Sequence, residues 1–544
     1  MFTANFNPPQ MTLFITGDTA TNGVVAIPGI AFSTSFSVTP GTVTSVVLPA
    51  AAEVTSVDVV TNQGIHVVAN AEVTVYGLSR LQFTTDAYLG LPTDILGTDY
   101  INLGYANTNV VNATQFGVVG TQAGTVVTIT PSTAAGVHAA NVPYTVVLNQ
   151  GQTYQLRSAG AAPADLSGSL ISSTAPIAVF GGHQCANIPA GAVACDHIVE
   201  QLPPTTTWGK AFVTMPLATR LNGDTFRVLA SVNGTVVSVN GIVVATLNRG
   251  QFHERLIVGP SRITTTQPVL VAQYSNGTSF DGVTSDPFEM LVPPFEQFLA
   301  SYTVTTPASG FGINFINVVA PNAAVGSVTL DGVPIPPAAF TPIPGSTFSG
   351  TQRPVALGAH NLAAPLPFGT FVYGFASADS YGYPGGMSLS PVAVVASLTL
   401  APKTETNPVS TQACVTATLR DQNSLPVAGV RVDFIVTGAN PKTGFINADA
   451  GGLAQFCYTG TTVGSDAIVG SVGTLTDTAA KTWTAAAGLT CDVDNNGVVD
   501  RSDINLIQAA IGQTPVAGDP RDANGDGKIT INDVRFCVLR ITVH

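Results

Sequence analysis

Residues 491–537 read CDVDNNGVVDRSD, INLIQAAIGQ, TPVAGDPR and DANGDGKITINDVRFC, and they hold two acidic loops in tandem. The loops are twelve residues long, begin at Asp492 and Asp522, and match in register. Each is followed by a short segment with the apolar spacing of a helix. The stretch therefore predicts a small module built from two similar loop–helix halves.

Oxygen-bearing side chains stand at alternate positions of each loop, as in calcium-binding loops. Calcium takes about six to eight oxygen ligands, and a mid-loop glycine permits the turn that brings them together. Gly497 and Gly527 stand at that place. The predicted ligands of two calcium ions are Asp492, Asp494, Asn496, the Val498 carbonyl, Asp500 and Asp503 in one loop, and Asp522, Asn524, Asp526, the Lys528 carbonyl, Thr530 and Asp533 in the other. The alternative is a pair of Asp/Asn-rich turns that bind nothing.

The order of loop and helix separates this module from an ordinary EF-hand. The last loop position is Asp rather than Glu, and no amphipathic helix precedes Asp492. In this, residues 490–544 resemble the type I dockerin module, whose two loop–helix halves bind calcium and dock onto a cohesin partner. The resemblance places partner contacts at Arg501-Ser502 and Ile531-Asn532. Because the two pairs differ, two equivalent docking faces are not expected.

The whole chain of 544 residues is poor in charge. Charged residues make up 9% of it, against about 25% in ordinary soluble proteins. Alternating Val and Thr, broken by Gly, Pro and Asn, predict a mostly β chain of about three to five domains. The net charge of −13 argues against nucleic acid as a partner. No apolar run is long enough for a transmembrane segment, and no export signal is visible in the sequence.

Six cysteines form three local pairs, which predicts disulfides and an oxidising compartment. The expected bonds are Cys185–Cys195, Cys414–Cys457 as a core disulfide, and Cys491–Cys537 joining the ends of the C-terminal module. His183 and His197 flank the first pair. A zinc site made of these four side chains is therefore the alternative there.

An internal repeat organises residues 1–395. Each repeat opens with an apolar residue and proline, as at Leu91-Pro92, Leu202-Pro203 and Val292-Pro293. Its length and its short strands predict β-sandwich units, and a propeller of smaller blades is the alternative. The predicted domains are a leading β unit (1–84), three sandwich units (85–198, 199–288, 289–395), an Ig-like sandwich (397–487) and the small α-helical calcium module (490–544).

Two further resemblances accompany these boundaries. Residues 195–231, with Cys195-Asp-His, Trp208-Gly-Lys and Gly223-Asp-Thr-Phe-Arg, resemble the N-terminal region of IgG-Fc-binding proteins, and the likeness extends over about 10–390. It implies an extracellular, β-rich adhesive region. Residues 397–487, with Cys414-Val-Thr-Ala-Thr-Leu and Gly452-Leu-Ala-Gln-Phe, resemble the bacterial Ig-like domains of invasin and intimin, which implies a spacer.

These features predict a secreted or cell-surface adhesion or assembly protein of bacterial type, such as an adhesin, matrix or filament subunit. Its partner would be a protein, either copies of itself or a cohesin-like or other β-rich surface protein. The alternative is a non-catalytic, carbohydrate-associated subunit delivered to a cohesin-type scaffold. Only seven glutamates occur, and no G-x-S-x-G motif accompanies Asp196, His197 and Ser231. We therefore expect no enzymatic activity.

Overall fold

The computed structural model describes residues 1–108, 113–389, 395–421, 426–427, 430–449, 451–473, 475–484 and 490–541. They belong to two compact units, Met1–Val392 and Ala393–His544. The predicted mostly β fold is confirmed, because strands make up nearly all of the regular structure and only two short α-helices are described. Neither described helix is long and apolar enough to cross a membrane.

The first unit contains four repeats of short strands. The first repeat has β1 (Phe2–Thr3), β2 (Gln10–Thr16), β3 (Thr21–Ile27), β4 (Phe32–Val38), β5 (Thr44–Val47), β6 (Glu53–Val54), β7 (Val60–Thr61), β8 (His66–Ala69), β9 (Thr74–Leu81) and β10 (Thr84–Gly90). The second has β11 (Asp99–Ile101), β12 (Thr114–Gly120), β13 (Thr125–Thr130), β14 (Tyr144–Leu148), β15 (Thr153–Ser158), β16 (Leu170–Ser173), β17 (Ile177–Ala186) and β18 (Asp196–Leu202). The third has β19 (Gly209–Thr214), β20 (Asp224–Ala230), β21 (Thr235–Val239), β22 (Ile242–Leu247), β23 (Phe252–Ile257), β24 (Ser261–Tyr274) and β25 (Glu289–Leu291). The fourth has β26 (Leu299–Thr305), β27 (Ile313–Pro321), β28 (Thr329–Leu330), β29 (Val333–Pro334), β30 (Thr341–Pro342), β31 (Phe348–Pro354), β32 (Ala359–Ala376) and β33 (Asp379–Pro384).

Each repeat builds one antiparallel sheet with the same strand order. From the inside outward the orders are β10-β9-β2-β5, β18-β17-β12-β15, β25-β24-β20-β23 and β33-β32-β27-β31. A smaller set of strands supplies a second layer. In the second repeat, Val127 and Ile129 of that layer share a core with Phe116 and Val118 of the larger sheet. The predicted sandwich packing is therefore confirmed.

The innermost strands of the four sheets close a ring. β10 contacts β18 and β33, and β25 contacts the same two strands. The ring has the blade arrangement of a small propeller, with one sandwich per blade. Leu229 and Tyr274 of the third repeat lie in the core of the second, so apolar packing continues across the boundary predicted at residue 198. Independent folding of the repeats stays a prediction.

The second unit begins with an Ig-like sandwich. Its strands are β34 (Val395–Ala401), β35 (Thr404–Pro408), β36 (Gln412–Asp421), β37 (Arg431–Gly438), β38 (Lys442–Asn447), β39 (Leu453–Thr459), β40 (Gly464–Val472) and β41 (Leu475–Thr484). They form two sheets, β34-β36-β39 and β35-β41-β40-β37-β38. Phe434, Phe456 and Trp483 fill the space between them. The predicted boundary at residue 487 lies outside the described residues.

All three predicted disulfides are present. The interpretation of Cys414–Cys457 as a core disulfide is wrong, because both residues are only half-buried. They are directly opposite on β36 and β39, and their neighbours Ala413 and Val415 point into the core. Strand alternation therefore turns the sulfur atoms to the outer face of the sheet.

The C-terminal module contains two short helices, α1 (Arg501–Ala509) and α2 (Ile531–Val538). Ile504 and Ile507 of α1 pack with Val534 of α2 and with the buried disulfide Cys491–Cys537. So few apolar residues make a small core, and cores of this size need a covalent or metal crosslink to be stable.

Candidate metal centre

Asp503, the last carboxylate of the first acidic loop, connects that loop to α1 by hydrogen bonds. Asp500 is the N-cap residue of the helix, and Asp503 lies in its first turn. The Asp503 carboxylate accepts hydrogen bonds from the amides of Asp500 (2.9 Å), Val493 (2.6 Å) and Asp494 (3.1 Å). One side chain therefore joins the start of the loop to the start of the helix.

The Asp492 carboxylate, the first in the same loop, fixes the backbone in the middle of the loop. Asp492 accepts hydrogen bonds from the amides of Asn496 (3.0 Å) and Gly497 (2.9 Å). Gly497 has a φ of +88°, a conformation that favours glycine. As a result, carboxylate oxygens of Asp492, Asp494 and Asp503 lie within 4.8 Å of one another.

The second loop repeats this network at equivalent positions. Asp522 accepts hydrogen bonds from the amides of Asp526 (3.1 Å) and Gly527 (2.9 Å), and Gly527 has a φ of +80°. Asp533 accepts from the amides of Thr530 (2.7 Å) and Asn524 (3.1 Å), with Thr530 as the N-cap of α2. The matching register that the sequence predicts therefore corresponds to matching three-dimensional loops.

In each loop the side chain at position 5 accepts a hydrogen bond from the backbone amide at position 7. Position 7 is the residue whose carbonyl is a predicted calcium ligand. The amide of Val498 donates to Oδ1 of Asn496 (2.9 Å), and the amide of Lys528 donates to Oδ1 of Asp526 (3.0 Å). These turns fix the backbone at Val498 and Lys528.

The electrostatics of the loops fit a hard cation. Within the described part of the chain, no Lys or Arg forms an ion pair with a loop carboxylate, and Arg521 pairs instead with Asp519 (2.8 Å). Burial raises the pKa of Asp503 and Asp533, but the backbone amides outweigh it and hold both pKa values below their usual range. Several ionised oxygens thus converge without a counter-charge, as in an oxygen-only calcium donor set.

The residues around Cys185 do not form the alternative zinc site. Both sulfur atoms are used in the Cys185–Cys195 disulfide. His183 bonds through Nε2 to Asn107 (2.9 Å), and its Nδ1 accepts the amide of Cys185 (3.0 Å). Burial lowers the pKa of His183 to about 3 and that of His197 to about 4. Both histidines are therefore neutral side chains of a folded core.

A set of buried carboxylates at the axis of the ring has no counterpart among the sequence predictions. Asp86, Asp196, Asp286 and Asp379 are at most 6% exposed and belong to the four inner strands or the residues just before them. Asp86 accepts one backbone amide from each inner strand: Ala87 (2.8 Å), Val199 (3.0 Å), Glu289 (3.2 Å) and Gly382 (3.4 Å). One side chain therefore links all four sheets.

The other axial carboxylates have fewer donors. Both oxygens of Asp286 and Oδ2 of Asp196 have no hydrogen-bond partner among the residues with described positions. Burial raises the pKa of Asp286 to about 8. It also raises the pKa of Asp196, and the neighbouring charge of Asp286 adds to that effect. These groups are expected to hold protons near neutral pH.

Comparison with known proteins assigns the chain to a protein family. The sequence profile of the family described as IgGFc binding protein matches residues 86–374, which begin at Asp86 and include Asp196 and Asp286. The chain belongs to the IgGFc-binding protein family. The resemblance to IgG-Fc-binding proteins is thereby confirmed over residues 86–374.

A curated IgGFc-binding protein from Homo sapiens is 29% identical in an alignment of 336 residues that covers 59% of this chain. The chain spans only 6% of that protein's length. Among solved structures, the D0-D1 domain of intimin is 14% identical over 34% of this chain and 89% of its own, with a TM-score of 0.15. A tetra-tandem repeat of a large adhesion protein is 12% identical over 71% of this chain and 99% of its own, with a TM-score of 0.17. Both scores are too low to bear on the fold.

Proposed function

We propose that this IgGFc-binding family member is an extracellular adhesion or assembly protein whose C-terminal module binds two calcium ions and then docks onto a protein partner. The observation that carries the proposal is the pair of equivalent loops, the first of which brings three carboxylates within 4.8 Å of one another with no Lys or Arg paired to them among the described residues. The family assignment and the three disulfides support an extracellular place of action.

Calcium would act on the fold of the module. Without the ion, like charges repel one another within each loop, so binding and ordering are coupled. Bound ions would fix the first turns of α1 and α2, because Asp503 and Asp533 belong both to the ligand sets and to those turns. Removal of calcium would therefore loosen the helices that present the docking surface.

The docking surface would include the first turns of the two helices. Arg501, Ser502, Ile531 and Asn532 are all exposed. The module also exposes Val516 (76%) and Leu539 (85%), a large apolar fraction for so small a module. This exposure and the dockerin resemblance support a partner with an apolar, β-rich surface, such as a cohesin-like domain.

Calorimetric titration of the full chain with calcium is expected to show two sites. The double variant Asp492→Ala/Asp522→Ala should lose both, because it removes the carboxylate that holds the middle of each loop. The control Asp519→Ala removes an acid of the same module that lies outside the loops, and it should keep both sites. Unchanged calcium binding in the double variant would contradict the proposal.

The ring of sandwiches would supply a second kind of contact. Each repeat ends a sheet with a strand that exposes a valine: Val68 (52%) on β8, Val147 (56%) on β14, Val243 (63%) on β22 and Val333 (67%) on β29. Unpaired strand edges with apolar side chains and little charge favour pairing with another β protein. Copies of the same chain satisfy this chemistry.

Self-association measured by light scattering is expected to change little between low and high salt, because few charges are involved. Val243→Lys should weaken it, since a charge on an edge strand opposes pairing. The matched control is Val258→Lys, which places the same charge at a 71% exposed valine in the loop after β23. Equal loss in both variants would rule out the strand edge as the contact.

Two other candidate partners, IgG Fc and a cohesin, can be tested beside self-association. The family's description names IgG Fc, so immobilised Fc is the first ligand to compare with copies of the chain. A cohesin pull-down in calcium and in chelator tests the alternative role as a carbohydrate-associated subunit on a scaffold. Calcium-dependent cohesin capture without self-association would favour that alternative.

A further inference from the structure

The last strand of the Ig-like sandwich carries a lysine between two acids. Lys481 of β41 is paired with Glu405 across the parallel ladder to β35 and with Asp466 across the antiparallel ladder to β40. Directly paired residues project to the same face of a sheet. On β41 that face also carries Ala479 and Trp483, which lie in the core.

The environment of Lys481 is unusual for an ammonium group. It is 1% exposed, and it is the only buried lysine among those the structure describes. Its Nζ contacts Oε2 of Glu405, whose side chain is 36% exposed. Burial lowers the pKa of Lys481, which favours the neutral amine that can act as a nucleophile.

Asp466 is held rigidly on the other side of the lysine. It is 2% exposed. Its carboxylate accepts hydrogen bonds from Trp483 Nε1 (2.7 Å), the Tyr458 hydroxyl (3.0 Å) and the Asn440 amide (2.8 Å). Three donors from three segments fix this carboxylate at the ladder position opposite Lys481.

We propose that Lys481 and Glu405 are joined by an amide bond between their side chains, formed within the folded domain. In this step Nζ of Lys481 bonds to Cδ of Glu405, and one Cδ–O bond breaks. Two of the three ammonium hydrogens leave with that oxygen as water, so the reaction needs no oxidant and no cofactor. Both protons would pass directly from Nζ to the Glu405 carboxylate that it contacts.

The fold supplies what this reaction requires. The two reacting groups are held in contact by strand register, which replaces a bimolecular encounter by a fixed geometry. The aromatic side chains of Tyr458 and Trp483 exclude water from one side, which protects an amide product. The bond would tie the edge strand β35 to β41. This inference does not depend on calcium binding or on adhesion.

The mass of the full chain, measured after denaturation and reduction of the disulfides, tests whether the amide bond is present. The expected mass is lower than that of the sequence by one water molecule, and proteolysis should release a branched peptide containing Glu405 and Lys481. Lys481→Arg and Glu405→Ala should each restore the full sequence mass. Lys403→Arg, at an exposed lysine paired with Asp477, should retain the loss.

A wild-type chain of full sequence mass would overturn the proposal and leave Lys481 and Glu405 as an ion pair only. A loss of water that persists in Lys481→Arg, or that maps to other residues, would overturn it equally. The wild-type measurement does not depend on whether any variant folds.

Discussion

The unit Met1–Val392 is expected to be more stable at pH 5 than at pH 8, opposite to the usual behaviour of surface carboxylates. Burial raises the pKa of Asp286 to about 8, of Asp224 and Glu289 to about 7, and of Asp379 to about 6. In the unfolded chain these groups titrate near pH 4. Between pH 4 and 8 the folded unit therefore binds more protons than the unfolded chain, and its stability falls as pH rises.

The size of this effect follows from the linkage relation. Each pKa unit corresponds to about 1.4 kcal/mol, so the four carboxylates together lower the free energy of unfolding by several kcal/mol between pH 5 and pH 8. His183, His197 and the Met1 amine offset part of this loss, because burial lowers their pKa values. The sign is reversed in the C-terminal module, because the pKa values of Asp503 and Asp533 lie below their usual range. That module should lose stability as the pH falls below about 4.

Tryptophan fluorescence can follow the first unit alone. The chain has two tryptophans, Trp208 in the ring and Trp483 in the Ig-like sandwich. In a Trp483→Phe background, thermal unfolding reported by Trp208 should occur about 5 °C or more lower at pH 8 than at pH 5. Asp286→Asn should shrink the difference, since asparagine does not titrate. A melting temperature that rises from pH 5 to pH 8 would contradict the argument.

Arg227→Met is expected to be the most destabilising single substitution in the ring, at about 3–5 kcal/mol. Arg227 is 3% exposed and forms ion pairs with Asp165 (2.9 Å) and Glu254 (2.9 Å). Its guanidinium also lies over the rings of Tyr105 (4.0 Å) and Phe252 (4.2 Å). Methionine would fill the space but leave Asp165 without its cation.

Arg249→Met is the matched control for that substitution. Arg249 pairs with Asp99 (2.6 Å) across the same two repeats, but the two side chains are 33% and 39% exposed. Exposed pairs contribute about 1 kcal/mol or less. Urea unfolding followed by Trp208 fluorescence measures both variants. Similar losses in the two variants would mean that burial does not set the strength of this contact.

Local patterns in the sequence predicted local structure well. The alternation of oxygen side chains and the mid-loop glycines predicted two equivalent loops, because all the hydrogen bonds that shape each loop lie within about a dozen residues. The cysteine pairs were predicted because both members of each pair lie in one predicted domain or at one loop. The position of Cys414 on the outer face required the register of β36 against the core, which cysteine spacing alone does not contain.

The ring and its axial carboxylates could not be predicted in this way. Asp86, Asp196 and Asp286 come from three different repeats, and only packing brings them to one axis. A signal was nevertheless present. Each precedes by five or six residues the apolar–proline pair that marks a repeat, at Leu91, Leu202 and Val292. Aspartate at a nearly constant offset in successive repeats indicates a shared place in the assembled fold.

The closure of the ring has a consequence for how the protein is made. β10 is synthesised early, yet it contacts β33, whose last residue is Pro384. A ribosome must therefore complete nearly all of the first unit before the Asp86 carboxylate receives the amide of Gly382. Until then the inner strands of the nascent chain present unpaired surface, which attracts chaperones and proteases. Truncated messenger RNAs that end after the third repeat should therefore yield chains that are degraded rather than exported.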